Sequence, residues 1–472
     1  MTQQHRRFDT IVDREKGLHR SLSTGQLSMI AIGGAIGTGL FLGSGFAIGF
    51  AGPSVLISYA IGALIALLLM GCLAEMTVAH PVSGSFGAYA EYYIGPLAGF
   101  LVRYAYWSSL VFAVGTEVTA IAVYMKYWFP SVPGWYWIIG FSAALIGINL
   151  LSVKVFGAVE YVFSMMKIIA IVGFIILGAY VVFSSTSSSG VGFSNYTSHG
   201  GFFPKGVWGT WVAVIVAIIS YLSIEMIAVA AGEAHDPQVA ITKAFRVTML
   251  RLVIFYLLTL ALMLAIVPWN LAGTDESPFV RVMAATQIPG AAGAINFVIL
   301  VAALSAMNSQ LYIATRMMFS LSRAGQAPRL FGRLNSRGIP GSALFLSTIG
   351  IALATALNLI YPGTAFVLML SVSMFGAMFA WLMIFVTHLF FRRRNRDALL
   401  VFRMWGFPVT TIFGILLIIS SLITTYFTRE FKMTLITGVP FLLILSLIYF
   451  TWFRKNESTK SSLISQALEQ EN

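Results

Sequence analysis

Glycines are concentrated in one apolar stretch near the start of the chain, IGGAIGTGLFLGSG, from Ile32 to Gly45. A glycine in a helix interior costs roughly 1 kcal/mol relative to alanine, so several within two turns favour an interrupted helix. Inside a bilayer, unpaired backbone is tolerated only where it lines a cavity or meets a ligand. The stretch therefore predicts a broken membrane helix that forms a binding site, as in secondary transporters.

Two kinds of backbone group would face such a break. Amides at Thr38 and Gly39, where the second half of the helix begins, suit an anion such as an α-carboxylate. Carbonyls of Gly33, Gly34 and Ala35, where the first half ends, suit an α-ammonium group. Two glycines four residues apart also form the GxxxG surface of packed helices, but the further glycines exceed what packing needs. The candidate substrate-binding residues of this stretch are Gly33, Gly34, Ala35, Ile36, Gly37, Thr38 and Gly39.

Lys167 is a lone ammonium in the apolar run FSMMKIIAIVGFIIL. Keeping it charged in a bilayer is costly, so we expect it to gain and lose a proton as its surroundings alternate between wet and dry. The alternative is that the side chain extends to the cytoplasmic edge of the membrane. Its place well inside the helix favours the first interpretation, and Lys167 is predicted to couple transport to protons.

A second interruption is predicted in the run ISYLSIEMIAVAAGEAHDP, from Ile219 to Pro237. Its serines, among them Ser223, compete for backbone hydrogen bonds. Glu225 is a carboxylate near mid-membrane, and it is either a second proton site or a structural group paired with a hydroxyl or an amide. Glu117 in the third apolar run is either a packing residue or part of the cavity.

The composition assigns the class of protein. The chain has 472 residues, of which 58% are hydrophobic and 10% charged, and its mean hydropathy of +0.86 is typical of a polytopic membrane protein. The single cysteine, Cys72, excludes an internal disulfide and a multi-cysteine metal site, and no cofactor is implied. Twelve apolar runs of membrane-spanning length are predicted, near 27–50, 53–79, 97–128, 134–151, 157–184, 207–231, 245–268, 289–320, 342–360, 364–391, 406–428 and 433–453.

The net charge of +12 is explained by topology rather than by nucleic-acid binding. If the N-terminus is cytoplasmic, most Lys and Arg fall in cytoplasmic segments, which follows the positive-inside rule. The external segments then hold only Lys126, Lys205, Arg281, Arg429 and Lys432. Both termini are predicted to be cytoplasmic, and residues 1–26 lack the apolar core of a signal peptide.

The two interrupted helices begin two blocks of five crossings. Because five is odd, the second block must enter the membrane from the opposite side, as in the inverted repeats of secondary transporters. The predicted organisation is a cytoplasmic tail (1–26), a first repeat (27–184), an external loop (185–206), a second repeat (207–391), two further helices (392–453) and a cytoplasmic tail (454–472).

Five motifs, in this order, resemble those of bacterial amino acid permeases, in the amino acid transporter family of the amino acid–polyamine–organocation superfamily. They are GGAIGTGLFLGSG, AEMTVAHPVSGSFGAYAEYYIGPLAGF, FGAVEYVFSMMKIIAIV, EMIAVAAGEAHDP and SAMNSQLYIATRMMFSLSRAGQAP. The resemblance spans about residues 20 to 455. It implies an all-α fold of the leucine-transporter type, with a 5+5 inverted repeat, two C-terminal helices and discontinuous first and sixth helices. It also implies proton-coupled uptake of an amino acid.

The resemblance carries roles to single positions. In relatives, carbonyls matching Ile219 and Leu222 complete the ammonium site. Lys167 matches a lysine that reaches the backbone of the first helix and a hydroxyl of the eighth, which Ser305 or Ser309 would supply here.

This chain departs from the family pattern in its sixth crossing. Ile219 occupies an aromatic gate position and Ser223 a glycine position. A hydroxyl narrows the pocket and the missing ring removes a stacking lid, so a small or medium neutral substrate is expected. Alternatively, Tyr221 takes over the gate and leaves size selection unchanged.

The predicted function is import of an amino acid with protons across the cytoplasmic membrane, by alternating access. The alternatives are an amino acid exchanger and a channel-like pore. An enzyme is not expected, because the only deep carboxylates are Glu117 and Glu225, and His80, His235 and His388 lie near the cytoplasmic side without metal-ligand spacing. Three acids near helix ends are expected to be cytoplasmic hydrogen-bonding groups, namely Glu75, Glu160 and Glu233.

Overall fold

The computed structural model describes most of the apolar part of the chain. The described residues are Phe8, Thr10, Ile11 and Asp13, and the ranges 22–185, 190–233, 237–271, 277–361, 364–396, 400 and 402–453. For Thr24, Ala31, 237–244, 246, 247 and 249 only the course of the backbone is given. The predicted C-terminal tail, nearly all of the N-terminal tail, and His235 lie outside the described residues.

The described chain is organised as helices joined by short connections. In chain order they are α1 (Thr24–Ala35), α2 (Thr38–Phe41), α3 (Gly43–Ala51), α4 (Val55–Ala79), α5 (Ser85–Tyr93), α6 (Pro96–Lys126), α7 (Gly134–Leu151), α8 (Val153–Ser184), α9 (Gly206–Tyr221), α10 (Met226–Ala230), α11 (Pro237–Ile266), α12 (Pro278–Ala285), α13 (Ala291–Arg323), α14 (Gly341–Ser347), α15 (Ile349–Ile360), α16 (Ala365–Arg394), α17 (Val409–Phe427) and α18 (Met433–Ile448).

Within the described ranges, ten helical stretches are long and apolar enough to cross a membrane, and the shorter apolar helices Gly25–Phe41 and Leu250–Ile266 accompany them. Together they account for the twelve predicted crossings. The stretch Gly43–Ala79 is divided by Gly52, whose φ of +64° favours glycine and turns the chain from the first crossing into the second. The all-α polytopic fold class is therefore confirmed.

The first crossing is broken between α1 and α2. A capping box begins α1, in which Ser23 and Gln26 bond each other's backbone. The helix ends at Ala35, and Gly37 is extended, with φ −130° and ψ −151°. A Cβ atom on Gly37 would lie 2.8 Å from Ala306 and 2.9 Å from the Glu117 carboxylate. Glycine is thus required here because neighbouring crossings approach the bare backbone.

The sixth crossing is broken between α9 and α10. The helix ends at Tyr221, a turn follows, and helical structure resumes at Met226. Ser223 lies in this turn with φ +77°. The Tyr256 hydroxyl on α11 bridges the two breaks, lying 2.9 Å from the Ala35 carbonyl oxygen and 2.8 Å from that of Ser220. The two interrupted helices are thereby held side by side.

The third crossing, α6, packs extensively against α13 and α16, and α4 packs against α9. The thiol of Cys72 on α4 is buried, 3.7 Å from the Thr411 hydroxyl of α17. Two short helices, α5 and α12, lie between crossings and were not predicted.

Ion pairs are also buried among the crossings. Arg316 of α13 binds Glu233, which follows α10, at 2.8 Å, and both side chains are less than 5% exposed. Glu75 at the end of α4 accepts a bond from His388 at 3.0 Å and pairs with Arg392 at 2.8 Å. Glu75 and Glu233, two of the acids expected to be hydrogen-bonding groups near helix ends, do make such bonds, and both side chains are buried.

Candidate functional site

A cavity of about 50 Å³ lies between the two breaks. Its walls are formed by the ends of α1 and α2, by the turn of the sixth crossing, and by α6, α13 and α16. Of the predicted substrate-binding residues, eight line it: Gly34, Ala35, Gly37, Thr38, Gly39, Ile219, Leu222 and Ser223. Gly33, Ile36 and Tyr221 do not.

Some backbone carbonyls at the first break already accept hydrogen bonds from side chains of the protein. The Lys167 ammonium donates to the carbonyl oxygens of Gly33 at 2.6 Å and Ile36 at 2.8 Å. The Ala35 carbonyl accepts from Tyr256. Of the three carbonyls predicted for the ammonium group, only that of Gly34 receives no hydrogen bond from the described residues.

Lys167 is fully buried, 0% exposed, and its ammonium lies against the end of α1 rather than at the membrane edge. The alternative of an extended, solvated lysine therefore does not describe this structure. The expected contact with a hydroxyl of the eighth crossing is also not made. Ser305 donates its hydrogen bond to Glu160 instead, and Ser309 is buried nearby on α13 without a hydrogen bond to Lys167.

Glu160 is a member of this site that sequence reasoning missed. We expected a cytoplasmic hydrogen-bonding group, but the side chain is 0% exposed and accepts bonds from Ser305 and from Asn308 at 3.0 Å. The spacing of Glu160, Ser164 and Lys167 places all three on one face of a helix, and this signal could have found it.

Glu225 is held by three donors. Oε1 accepts from the Tyr106 hydroxyl at 2.5 Å and from the Ser223 amide at 3.2 Å, and Oε2 accepts from Trp381 Nε1 at 2.9 Å. The contacts are those of the structural alternative, pairing with a hydroxyl or an amide, and the indole adds a third partner. Glu225 also lines the cavity.

Glu117 lines the cavity as well, so the second of its two alternatives describes its position. Its Oε1 accepts from the Thr38 hydroxyl at 3.1 Å. That bond ties α6 to the start of α2, where the predicted carboxylate-binding amides lie. Three further polar residues, which were not predicted, line the cavity from α6, α13 and α16, namely Ser109, Gln310 and Ser373.

Tyr221 faces away from the cavity. Its ring packs against Tyr59 and Tyr256, with centroid separations of 6.4 and 4.8 Å. Ile219 and Leu222 line the cavity in its place. The alternative in which Tyr221 becomes the gate is not adopted in this conformation.

The apolar crossings of the described chain, two of them broken around a small cavity, define a multi-pass membrane protein with a candidate binding site between helices. Comparison with known proteins gives the particular group. A family model described as amino acid permease matches residues 26–462, and the chain belongs to that family. The predicted resemblance is thereby confirmed.

Three relatives from Bacillus subtilis (strain 168) are similar over almost their whole length. A putative histidine permease is 39% identical over 95% of this chain and 96% of its own. A gamma-aminobutyric acid permease is 37% identical over 97% of this chain and 98% of its own. A probable threonine/serine transporter, YbxG, is 36% identical over 93% of this chain and 96% of its own. Members of this family are transporters, so the chain is not an enzyme.

Proposed function

We propose that this permease imports a small or medium neutral amino acid together with protons, across the cytoplasmic membrane and with both termini in the cytoplasm. The observation that carries the proposal is the bonding of Lys167 to the first break. Its ammonium binds the Gly33 and Ile36 carbonyls, while Gly34, Ala35 and Gly37 of the same segment line the cavity. A proton on Lys167 and a substrate in the cavity would therefore act on the same few residues of backbone.

The substrate would lie with its charged ends against the two breaks. Its carboxylate would meet the amides that begin α2, at Thr38 and Gly39, and its ammonium would meet the Gly34 carbonyl and the carbonyls of Ile219 and Leu222. The small cavity supports a small side chain. Of the two carboxylates that line it, Glu225 already accepts hydrogen bonds at both of its oxygens, which disfavours a second substrate cation there.

The relatives support a neutral substrate. Their printed names cite gamma-aminobutyric acid, histidine, and threonine or serine. Gamma-aminobutyric acid, threonine and serine are zwitterions without net charge at neutral pH. Histidine is also largely uncharged overall, because an imidazole titrates near pH 6.5. We assign this chain to the same chemical class.

Protonation and transport would be coupled because the Lys167 amino group is a stronger hydrogen-bond donor when it is charged. A protonated lysine makes charge-assisted hydrogen bonds, which are about twice as strong as neutral ones. Loss of the proton would weaken the attachment of α8 to the end of α1 and release this half-helix. Substrate and proton would together favour closure, and the two five-crossing repeats, 27–184 and 207–391, would rock around the site.

The test is uptake by purified protein in liposomes. With an imposed inward proton gradient and no internal substrate, the wild type should accumulate labelled amino acid. Lys167→Gln should abolish this accumulation, whereas Lys154→Gln, an exposed lysine on the same helix, should retain it. Gradient-driven accumulation with co-transported protons in Lys167→Gln would refute the coupling role.

Two further measurements separate the alternatives. An exchanger would take up label only when the liposomes contain internal substrate, so the gradient experiment distinguishes it from a symporter. A pore would give flux that does not saturate. Competition by each of the twenty amino acids against one labelled substrate would then test the neutral class, and inhibition confined to Lys and Arg would contradict it.

A further inference from the structure

A second, larger cavity opens on the outside of the helix bundle, away from the substrate site. Its volume is about 550 Å³, and it lies between α4, α11 and the segment 402–405 that joins the tenth and eleventh crossings. Its walls are almost entirely apolar. Leu64, Leu67 and Gly71 line it from one face of α4, and Leu250 and Val253 line it from α11.

The wall formed by 402–405 is anchored firmly to the bundle. The Met404 amide donates to Glu75 at 2.8 Å, and its carbonyl accepts from Arg392 at 2.8 Å. A Cβ atom on Gly71 would collide with the Met404 thioether, so this segment lies directly on α4. The groove is therefore built into the fold.

The rim of the groove carries a basic and an aromatic residue, whereas its walls are apolar. Arg403 is exposed there, and Trp405 beside it is 68% exposed. Tryptophan is enriched at the level of lipid headgroups, and basic residues between helices bind lipid phosphates. A guanidinium carries five N–H donors in a planar fork, which suits a phosphate even when some donors are engaged elsewhere.

We propose that this groove binds one anionic phospholipid. An acyl chain would lie against Leu64, Leu67 and Leu250, and the phosphodiester would bind Arg403 beneath the Trp405 ring. The charge of the rim selects the headgroup, because one basic residue at a membrane surface favours an anionic lipid about fivefold. The bound lipid would fasten α11, which follows the broken sixth crossing, to α4.

Quenching of tryptophan fluorescence by brominated lipids tests the proposal. The protein is placed in phosphatidylcholine nanodiscs that contain a small fraction of phosphatidylglycerol, with bromine on the acyl chains of one lipid or the other. Brominated phosphatidylglycerol should quench at an about fivefold lower mole fraction than brominated phosphatidylcholine. The part of the quenching that shows this preference for phosphatidylglycerol should disappear in Trp405→Phe.

Arg403→Gln should remove the preference, whereas Arg403→Lys should keep most of it. Arg337→Gln is the matched control, since Arg337 is another exposed arginine and does not line the groove. Equal quenching by the two lipids, or an undiminished preference in Arg403→Gln, would overturn the proposal. Elution of each variant as a single species in size-exclusion chromatography confirms that it is folded. An excess of free glycerol phosphate should leave the quenching unchanged if the groove binds a lipid rather than free phosphate.

Discussion

Ser223 has a backbone conformation that normally belongs to glycine. Its φ of +77° costs a residue with a Cβ atom roughly 1–2 kcal/mol. Replacement by glycine removes this cost but adds about 0.5–1 kcal/mol of unfolded-state entropy. We therefore expect Ser223→Gly to raise the free energy of unfolding by up to about 1.5 kcal/mol, seen as a higher thermal unfolding midpoint. Ser223→Ala should leave the midpoint unchanged or lower it.

This pair of variants also separates the hydroxyl from the backbone. If the Ser223 hydroxyl contacts the substrate, both variants should lose affinity to a similar extent in saturable uptake. If Ser223→Ala gained as much stability as Ser223→Gly, relief of backbone strain at this position would not be the cause of the gain.

Glu225 is surrounded by donors, so an amide in its place should conflict with them. In Glu225→Gln, the NH2 group replaces one of the two carboxylate oxygens. It then faces the indole N–H of Trp381 or, in the other orientation, the amide N–H of Ser223 beside the Tyr106 hydroxyl, so two donors oppose each other in either case. A buried donor left without an acceptor costs about 1–3 kcal/mol. We expect Glu225→Gln to lower the free energy of unfolding by about that amount, measured by thermal denaturation in detergent.

Trp381→Phe removes the opposing donor and supplies the control. In the double variant the combined loss should be smaller than the sum of the two single losses, because the conflict between amide and indole is absent. Additive losses would show that the indole does not bond to Glu225.

Single residues differ in how well the sequence revealed them. Lys167 and Glu225 stood out because each is an ionisable group in an apolar run. The partners of Glu225 could not be predicted, since Tyr106 and Trp381 lie 119 and 156 residues away along the chain. A single sequence contains no information on which crossings meet at such a distance.

The junction of α1 and α8 depends on a close approach at Gly33. A Cβ atom there would collide with the Glu160 carboxylate and lie 2.8 Å from the Ser164 hydroxyl. Overpacking of this kind costs about 1–3 kcal/mol, and here it would push the half-helix away from Lys167. Gly33→Ala should therefore reduce gradient-driven uptake at least tenfold.

Gly49 in α3 provides the comparison within the same crossing, because a Cβ atom there would meet nothing within 4 Å. Gly49→Ala should transport at close to the wild-type rate. Similar activity of both variants, at equal amounts in the membrane, would mean that the fit between α1 and Glu160 is not needed for transport.

Helices were predictable where one physical requirement dominates. The length of the bilayer core made all twelve crossings visible as apolar runs, and clustered glycines located the first break. The helices α5 and α12 have only nine and eight residues, so a criterion based on membrane-spanning length could not detect them. Glu160 was missed because its position near a helix end suggested a cytoplasmic hydrogen-bonding group, whereas packing of α8 against α13 buries it beside Ser305 and Asn308.

The distribution of Lys and Arg makes a prediction about the orientation of the whole protein. If both termini are cytoplasmic, green fluorescent protein fused after Asn472 should fluoresce and alkaline phosphatase at the same point should be inactive. A phosphatase fusion ending at Lys205, in the predicted external loop, should be active. The reverse pattern at the two positions would invert the proposed topology.

Cys72 has a consequence for how the permease responds to oxidants. It is the only sulfhydryl of the chain, and the packing of α4 against α17 leaves it 0% exposed. Oxidation and mercurial modification need an accessible thiolate. In this conformation the permease offers none, so its transport activity should survive thiol-specific oxidants and mercurials that inactivate carriers with surface thiols.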